Sequence, residues 1–387
     1  MRSIQSPIDG FASPFGPRRG SFTANVPVIH ERATEAWSQS LDGTLYRFAP
    51  DVPRKTNRGW SIAGAATREH GEAPTNGSTF GATLTTLDAE GLFNPMRVAS
   101  GGNANHRRAT GASSVTNGVK VYCRVRVRAG TSGRVGIFVR NNTAETLTSI
   151  TGTFAAPTVT GAVSGPITDL VNRLLPNGDR EFTFTWTPNA DGASADLGVG
   201  PESAVTGEYI DVIGMQAATA FTDHIMGGDG PKAVAADIMS LDLTGLDMSA
   251  GFMLRMDGEV DGTPLVASDR FYQAGAGVNR SITFVNTANG HWTCMQFDND
   301  VLQGSIKLND AVTPPSAFSI IGAHGTNYIG GASGGVVAIP DTVAAYVTPS
   351  VLNIGSSGEA NFLPLTLDDI RLVTGAPTTP KVTELAG

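Results

Sequence analysis

The stretch from Gly207 to Leu241 reads GEYIDVIGMQAATAFTDHIMGGDGPKAVAADIMSL. It begins as a strand, Tyr209 to Met215, with Ile210 and Val212 on one face, the period-two pattern of a half-buried strand. Small and turn residues follow, ending in Gly227-Gly228-Asp229-Gly230-Pro231, and alternation resumes at Ile238. Two glycines followed by Asp-Gly-Pro extend neither a helix nor a central strand cheaply. The stretch is therefore a seam, with β-rich sequence on both sides.

Upstream, Val119, Val121, Cys123, Val125 and Val127 alternate with Lys120, Tyr122, Arg124, Arg126 and Arg128. After a turn at Ala129 to Gly133, Val135, Ile137 and Val139 alternate with Arg134, Gly136, Phe138 and Arg140. A simple hairpin register pairs Arg128 with Arg134 and Tyr122 with Arg140. The wet face then collects Arg124, Arg126, Arg128, Arg134 and Arg140. Like charges opposed across a sheet cost a few tenths to about 1 kcal/mol, so such a face calls for an anionic partner; the bland alternative is a solvated face screened by salt and nearby acids. Phe182, Phe184 and Trp186 mark another strand, ended by Pro188, and Ile167 to Leu175 reads as a short helix. Downstream, Phe252, Leu254 and Met256 face one way, and Arg280 to Val285 and His291 to Phe297 continue the style. Short strands with Gly, Asn and Asp turns predict an all-β chain of two antiparallel sandwiches.

Composition agrees. A chain of 387 residues exceeds one ordinary domain. With 40% hydrophobic residues it can bury real cores, while 47 glycines and 22 prolines supply many turns. A net charge of −8 argues against a nucleic-acid binder. Cys123 and Cys294 lie too far apart for a disulfide framework and read as buried thiols. No run has the length of a membrane-spanning helix, and the N-terminus lacks the apolar core of a signal peptide. A soluble protein is expected, without membrane insertion and without cofactors; His30, His70 and His106 lack metal-ligand spacing, so no metal is expected.

Residues 1–22 hold Pro7, Pro14 and Pro17, with apolar Ile4, Ile8, Phe11 and Phe15 and the pair Arg18-Arg19. Such a piece is either an unstructured tail or an extended arm that orders against another protein. Trp37, Tyr46, Phe48 and the segment Arg58 to Ile62 open the first module. The expected organisation is an anchoring arm at 1–22, a first sandwich at 23–226, a linker at 227–237, a second sandwich at 238–375 and a Pro/Thr tail at 376–387.

The seam resembles a junction of bacteriophage structural proteins. There a carbohydrate-binding-module-like jelly roll closes with Gln…Ala-Thr-Ser-Tyr-Ile-Pro-Thr, and a short Arg-Ala-Ala-Asp linker starts a concanavalin A-like (laminin-G-like) jelly roll. Here Phe221 stands for the Tyr or its neighbour, and Ala235-Ala236-Asp237 matches the linker; Met226 replaces the usual Pro and Val234 the Arg. Leu367-Asp368-Asp369-Ile370-Arg371-Leu372 is similar to the return strand of such jelly rolls, with Val373 in place of a Tyr. The resemblance implies a virion component such as a tail fibre, spike or head fibre, assembled in the host cytoplasm. Its arm would bind other virion proteins of capsid or tail. Host surface glycan is the implied ligand, and a homo-oligomer, with a trimer favoured, the implied assembly. No catalytic residue travels with the resemblance.

Enzymatic motifs are weak. Gly331-Ala332-Ser333-Gly334-Gly335 has the spacing of a hydrolase elbow, but Val336 to Pro340 follows where a helix is needed. Glu259-Val260-Asp261 resembles the carboxylate strand of concanavalin-like glycosidases, yet Thr263 and Pro264 occupy the place of the further Glu. Asp191 with Asp196, and Asp298 with Asp300, could hold Ca²⁺ but suit Asx turns. Sugar platforms would be drawn from Trp60, Tyr122, Phe138, Tyr272, Trp292 and Tyr328, each more often a core residue. Tyr122 and Trp292, with the five arginines, are the ligand-binding candidates. The expectation is a non-enzymatic attachment or decoration protein. A polysaccharide-degrading tail spike and a structural cement protein are the alternatives.

Overall fold

The computed structural model describes residues 22–70, 79–102, 107–109, 113–141, 148–161, 164–222, 224–225, 232–261, 269–286, 291–308, 316–343, 345–356 and 363–387. Alternation does what the sequence predicts: the regular elements among the described residues are strands, with a short α-helix at Thr379–Ala386. The arm candidates Ile4, Ile8, Phe11, Phe15, Arg18 and Arg19, and the seam residues 227–231, lie outside the described residues.

The chain divides into two units. One comprises residues up to Ala36, Phe48–Ala65 and Ala235–Gly387; the other comprises Trp37–Arg47 and Ala66–Val234. The expected span 23–226 is thus shared between them. The long segment of the second unit begins and ends on paired strands: Ala66–His70 lies antiparallel to Lys232–Val234, with Ala66 opposite Val234.

In the first unit, one sheet runs Val336–Val337, Tyr328–Ser333, Ser316–Gly325, Gly251–Val260, Leu365–Thr374, Gly59–Ile62, Arg54–Thr56, with Thr23–Ala24 beside Leu365–Thr374. The other runs Val28–Glu31, Ile238–Leu241, Leu352–Ile354, Asp269–Ala276, Asn279–Asn286, His291–Asp298, Val301–Lys307. Phe252, Leu254, Met256, Phe271, Met239, Ile354 and Leu367 fill the space between. Phe271 sets edge-on against Trp292 and Phe318, each at 5.0 Å between centroids; such pairs add about 0.5–1.5 kcal/mol beyond their buried area.

Four strands of this sandwich, Thr23–Ala24, Val28–Glu31, Arg54–Thr56 and Gly59–Ile62, come from the N-terminal part of the chain, and Asp237 ties the last three to the rest. Its carboxylate accepts from His30 Nε2 at 3.1 Å, Arg32 Nη1 at 2.8 Å, Arg54 Nη2 and the Ala63 backbone N–H at 3.0 Å. Burial by itself would raise the Asp237 pKa; the Arg54 charge and the His30 and Arg32 hydrogen bonds outweigh it and hold the carboxyl well below the usual range. Arg32 completes its own shell on the Thr34, Ala49 and Val52 carbonyls. The expected linker residue is a buried hub.

In the second unit, one sheet runs Ile167–Leu174, Arg180–Trp186, Val121–Ala129, Tyr209–Ala218, Met96–Ser100, Ala82–Thr86. The other runs Ala156–Thr160, Thr148–Thr153, Arg134–Asn141, Gly192–Pro201, Arg107–Ala109, Thr79–Phe80. Cys123, Val125, Val127, Val135, Ile137, Val139, Phe182, Phe184, Trp186 and Val212 form the core between them.

Three expectations are corrected. Val121–Ala129 and Arg134–Asn141 do not form a hairpin: the first pairs with Arg180–Trp186 and Tyr209–Ala218, the second with Thr148–Thr153 and Gly192–Pro201. Their connection crosses from one sheet to the other, so both apolar faces meet across the core. Gly130 permits the crossing, since a Cβ there would lie 2.3 Å from the Tyr209 ring. Residues Ile167–Leu174 form an edge strand, not a helix, with an irregularity between Thr168 and Val171 where Asp169 has φ 55°. The expected tail contains the helix Thr379–Ala386, whose Val382 is buried against Met253, Ile321, Ala323 and Ala332.

Removing the Asp237 carboxylate leaves Arg32 and Arg54 buried without it, and losing one partner of a buried ion pair costs about 3–5 kcal/mol. Asp237→Ala should lower stability by that amount in urea unfolding. A fragment of residues 235–387, lacking four strands of its sandwich, should show no cooperative transition.

Candidate functional site

The arginines expected on one wet face lie on the outer faces of two different sheets. On the sheet containing Val121–Ala129, Arg126 Nε donates to Asp179 Oδ2 at 2.8 Å and Nη1 to the Gly43 carbonyl at 2.5 Å. Arg128 donates through Nε to Asp179 Oδ1 at 2.7 Å and through Nη1 and Nη2 to both Glu90 oxygens at 2.8 and 2.7 Å. Arg124 and Arg173 share Glu181, at 3.1 and 2.8 Å. Arg124 also stacks over Phe221 and Arg126 over Phe93, at 5.2 and 5.1 Å.

This face is not wet: Tyr122, Arg124, Arg126 and Glu181 are buried, and Asp179 is 0% exposed. The register places Arg173 directly opposite Glu181 on one side and Arg126 on the other, so Arg124, opposite Thr183 in the same outward row, reaches Glu181 on the diagonal. Charge-assisted pairs of this geometry are the strong kind, and they supply from within the chain the anions that the sequence called for. On the other sheet, Arg134 pairs with Glu202 at 2.9 Å and Arg140 with Asp196; these two side chains remain 52% and 40% exposed. Asp179 and Glu90, unmarked in the sequence, sit in turns; Glu181 is detectable, being on the outward phase of its strand.

A second polar cluster lies inside the first unit, between its sheets. Tyr272 Oη lies 2.7 Å from His324 Nε2, Cys294 Sγ 3.3 Å from the same nitrogen, and Thr283 Oγ1 3.1 Å from Cys294 Sγ. Gly322 makes room for it, since a Cβ there would lie 1.8 Å from the Tyr272 hydroxyl. A thiol beside an imidazole suggests a nucleophile, but the environment opposes one. Tyr272, Cys294 and His324 are all 0% exposed. Burial pushes the Cys294 thiol up to about 11 and the His324 imidazole down to about 3. A reactive cysteine needs a stabilised thiolate and access to solvent. Cys123, in the other unit, is likewise buried with its pKa raised.

The remaining candidates are placed as follows. Trp60, Tyr122, Phe138, Tyr272 and Trp292 are buried and Tyr328 half-buried. Ser333 ends the strand Tyr328–Ser333, and the strand Val336–Val337 follows. Asp261 pairs with Arg58 at 2.6 Å, Asp300 with Arg280 at 2.5 Å, and Asp191 accepts from the Asn117 backbone at 2.8 Å. Among the described residues no group of His, Cys, Asp and Glu could hold a metal ion. An open groove between Ser305–Leu308 and Val336–Asp341 is rimmed by exposed Val336 and Ile339.

No protein-family model matches the chain, and no curated protein matches it. Among solved structures it is similar to mouse laminin alpha1 chain, domains LG4-5, at 11% identity and a TM-score of 0.28, covering 75% of this chain and 93% of that one. A likeness that remote bears on neither fold nor function.

The unfolded chain protonates a histidine near 6.5, whereas folded His324 resists until about 3. Its contribution is therefore intact above about pH 6.5 and lost as pH falls below it, at about 1.4 kcal/mol per pH unit. Urea midpoints of the parent should fall between pH 6.5 and 4 relative to those of His324→Gln, which keeps a hydrogen-bonding group but does not titrate there.

Proposed function

We propose that the protein is a non-enzymatic virion component of a phage, a fibre, spike or decoration protein, held to the particle by residues 1–22. The observation that carries this reading is that its chemistry-bearing side chains are engaged internally. The buried Arg32, Arg54, Arg58, Arg124 and Arg126 pair with carboxylates of their own unit, the Cys–His pair is sealed between sheets, and Ser333 is followed by a strand. Such self-satisfied sandwiches suit a rigid structural or display role.

Attachment to an anionic host glycan is the second reading, and Arg134 and Arg140 favour it. Exposed ion pairs contribute only about 0–1 kcal/mol, so an acidic ligand can compete with Glu202 and Asp196 at little cost. Arg124 and Arg126, being buried, are assigned to folding instead.

Deleting residues 1–22 should abolish incorporation into particles while circular dichroism of the purified protein stays unchanged; normal copy number in the deletion would move the tether elsewhere. On a panel of acidic glycans, Arg134→Ala with Arg140→Ala should weaken attachment, as should added salt. Ser333→Ala and Glu259→Gln should leave any polysaccharide or ester turnover unaltered.

A further inference from the structure

The chain enters the first unit alongside that unit's last strand. Thr23–Ala24 pairs in parallel with Leu365–Thr374, Thr23 against Asp369 and Ala24 against Ile370. Asn25 then continues the ladder. Its backbone N–H donates to Ile370 O at 3.3 Å. Its side-chain Nδ2 donates to Leu372 O, and its Oδ1 accepts from Leu372 N, both at 2.8 Å. The amide of Asn25 thereby stands in for another residue of strand. Just ahead, Phe22 sets edge-on against buried Trp60 at 4.8 Å, and Lys55 Nζ lies over both rings, 5.2 Å from Phe22 and 4.4 Å from Trp60. The strand that receives this segment is rooted deeply. It pairs along its length with Gly251–Val260 and carries Leu365, Leu367 and Ile370, each 0% exposed.

Parallel pairing decides how these bonds meet a load. The N-terminal end of one strand and the C-terminal end of the other lie at opposite ends of the pair. Tension between those ends draws the strands past each other lengthwise, across hydrogen bonds that run from strand to strand. The bonds then bear the pull together. In an antiparallel pair the same two ends lie side by side, and tension opens the bonds one after another.

We propose that Phe22–Asn25 and Leu365–Thr374 form a force-bearing clasp, which delivers tension on the preceding residues to the core of the first unit. The proposal rests on the reading of residues 1–22 as a tether, and gives that tether a mechanical root. Phe22 on Trp60 shields the clasp at the end where the pull arrives.

Single-molecule pulling on the full chain tests it, with one handle at the N-terminus and the other on a cysteine introduced at Ala376; the native Cys123 and Cys294, at 3% and 0% exposure, are shielded from the coupling reagent. A second geometry moves the other handle to Ala317, at the opposite end of the sheet, where the same tension peels the clasp. The rupture force should be higher in the first geometry. Asn25→Ala, which removes two of the three hydrogen bonds just described for this residue, should lower it there and leave the second geometry nearly unchanged. Val382→Ala, which weakens the packing of the C-terminal helix outside the loaded segment, should not alter the first geometry. Equal forces in the two geometries, or an unchanged force with Asn25→Ala, would overturn the clasp. No particle is needed, so this outcome is separate from whether deletion of 1–22 abolishes incorporation.

Discussion

One buried carboxylate joins the N-terminal strands of the first unit to its C-terminal half at a single point. Asp237 is 1% exposed, and its ion-pair partners Arg32 and Arg54 lie 205 and 183 residues earlier in the chain. An ion so placed is tolerated only when its shell is complete, and here two guanidiniums, an imidazole and a backbone amide complete it. The requirement runs both ways. Arg32 is as deeply buried as its partner, so neither the N-terminal strands nor the segment after residue 234 can bury its charge without the other. That mutual need makes the unit discontinuous in sequence and ties the root of the N-terminal segment to the strands of the C-terminal half.

The second unit applies the same rule on the outside of a sheet. Arg124, Arg126 and Arg128 lie on the phase opposite Val125 and Val127, and find Glu181, Asp179 and Glu90. Slipping the register by one residue would drive arginines into the core and valines out of it. The network therefore specifies pairing as well as adding stability. Phe93 and Phe221, stacked on these guanidiniums, cover them with apolar surface that still favours a cation.

Functional-looking groups elsewhere serve packing for a related reason. Tyr272, Thr283, Cys294 and His324 Nε2 bond to one another inside a buried core. The same burial that makes their mutual bonds strong disfavours thiolate and imidazolium, the forms that nucleophilic or acid–base chemistry would use. The unit instead acquires an acid-sensitive element, since the core holds a neutral imidazole that the unfolded chain would protonate.

Local alternation was sufficient for the strands and for their apolar faces. Val121 to Val127, Val135 to Val139, Phe182 to Trp186 and Phe252 to Met256 are all legible, because side chains on a strand point to opposite sides whatever the strand pairs with. Pairing is a different matter. Two consecutive strands with matching apolar faces fit a hairpin or a crossing between sheets equally well, and only the closing of the core chose the crossing at Gly130. That choice separated Arg134 and Arg140 from the other arginines and dissolved the single cationic face. The helix Thr379–Ala386 was invisible for a similar reason: eight residues do not hold a helix alone, and the strip of Met253, Ile321 and Ala323 that stabilises it comes from strands distant in sequence. Asp237 read as a linker residue because a buried charge is defined by its partners, and those partners were brought to it only by the tertiary fold.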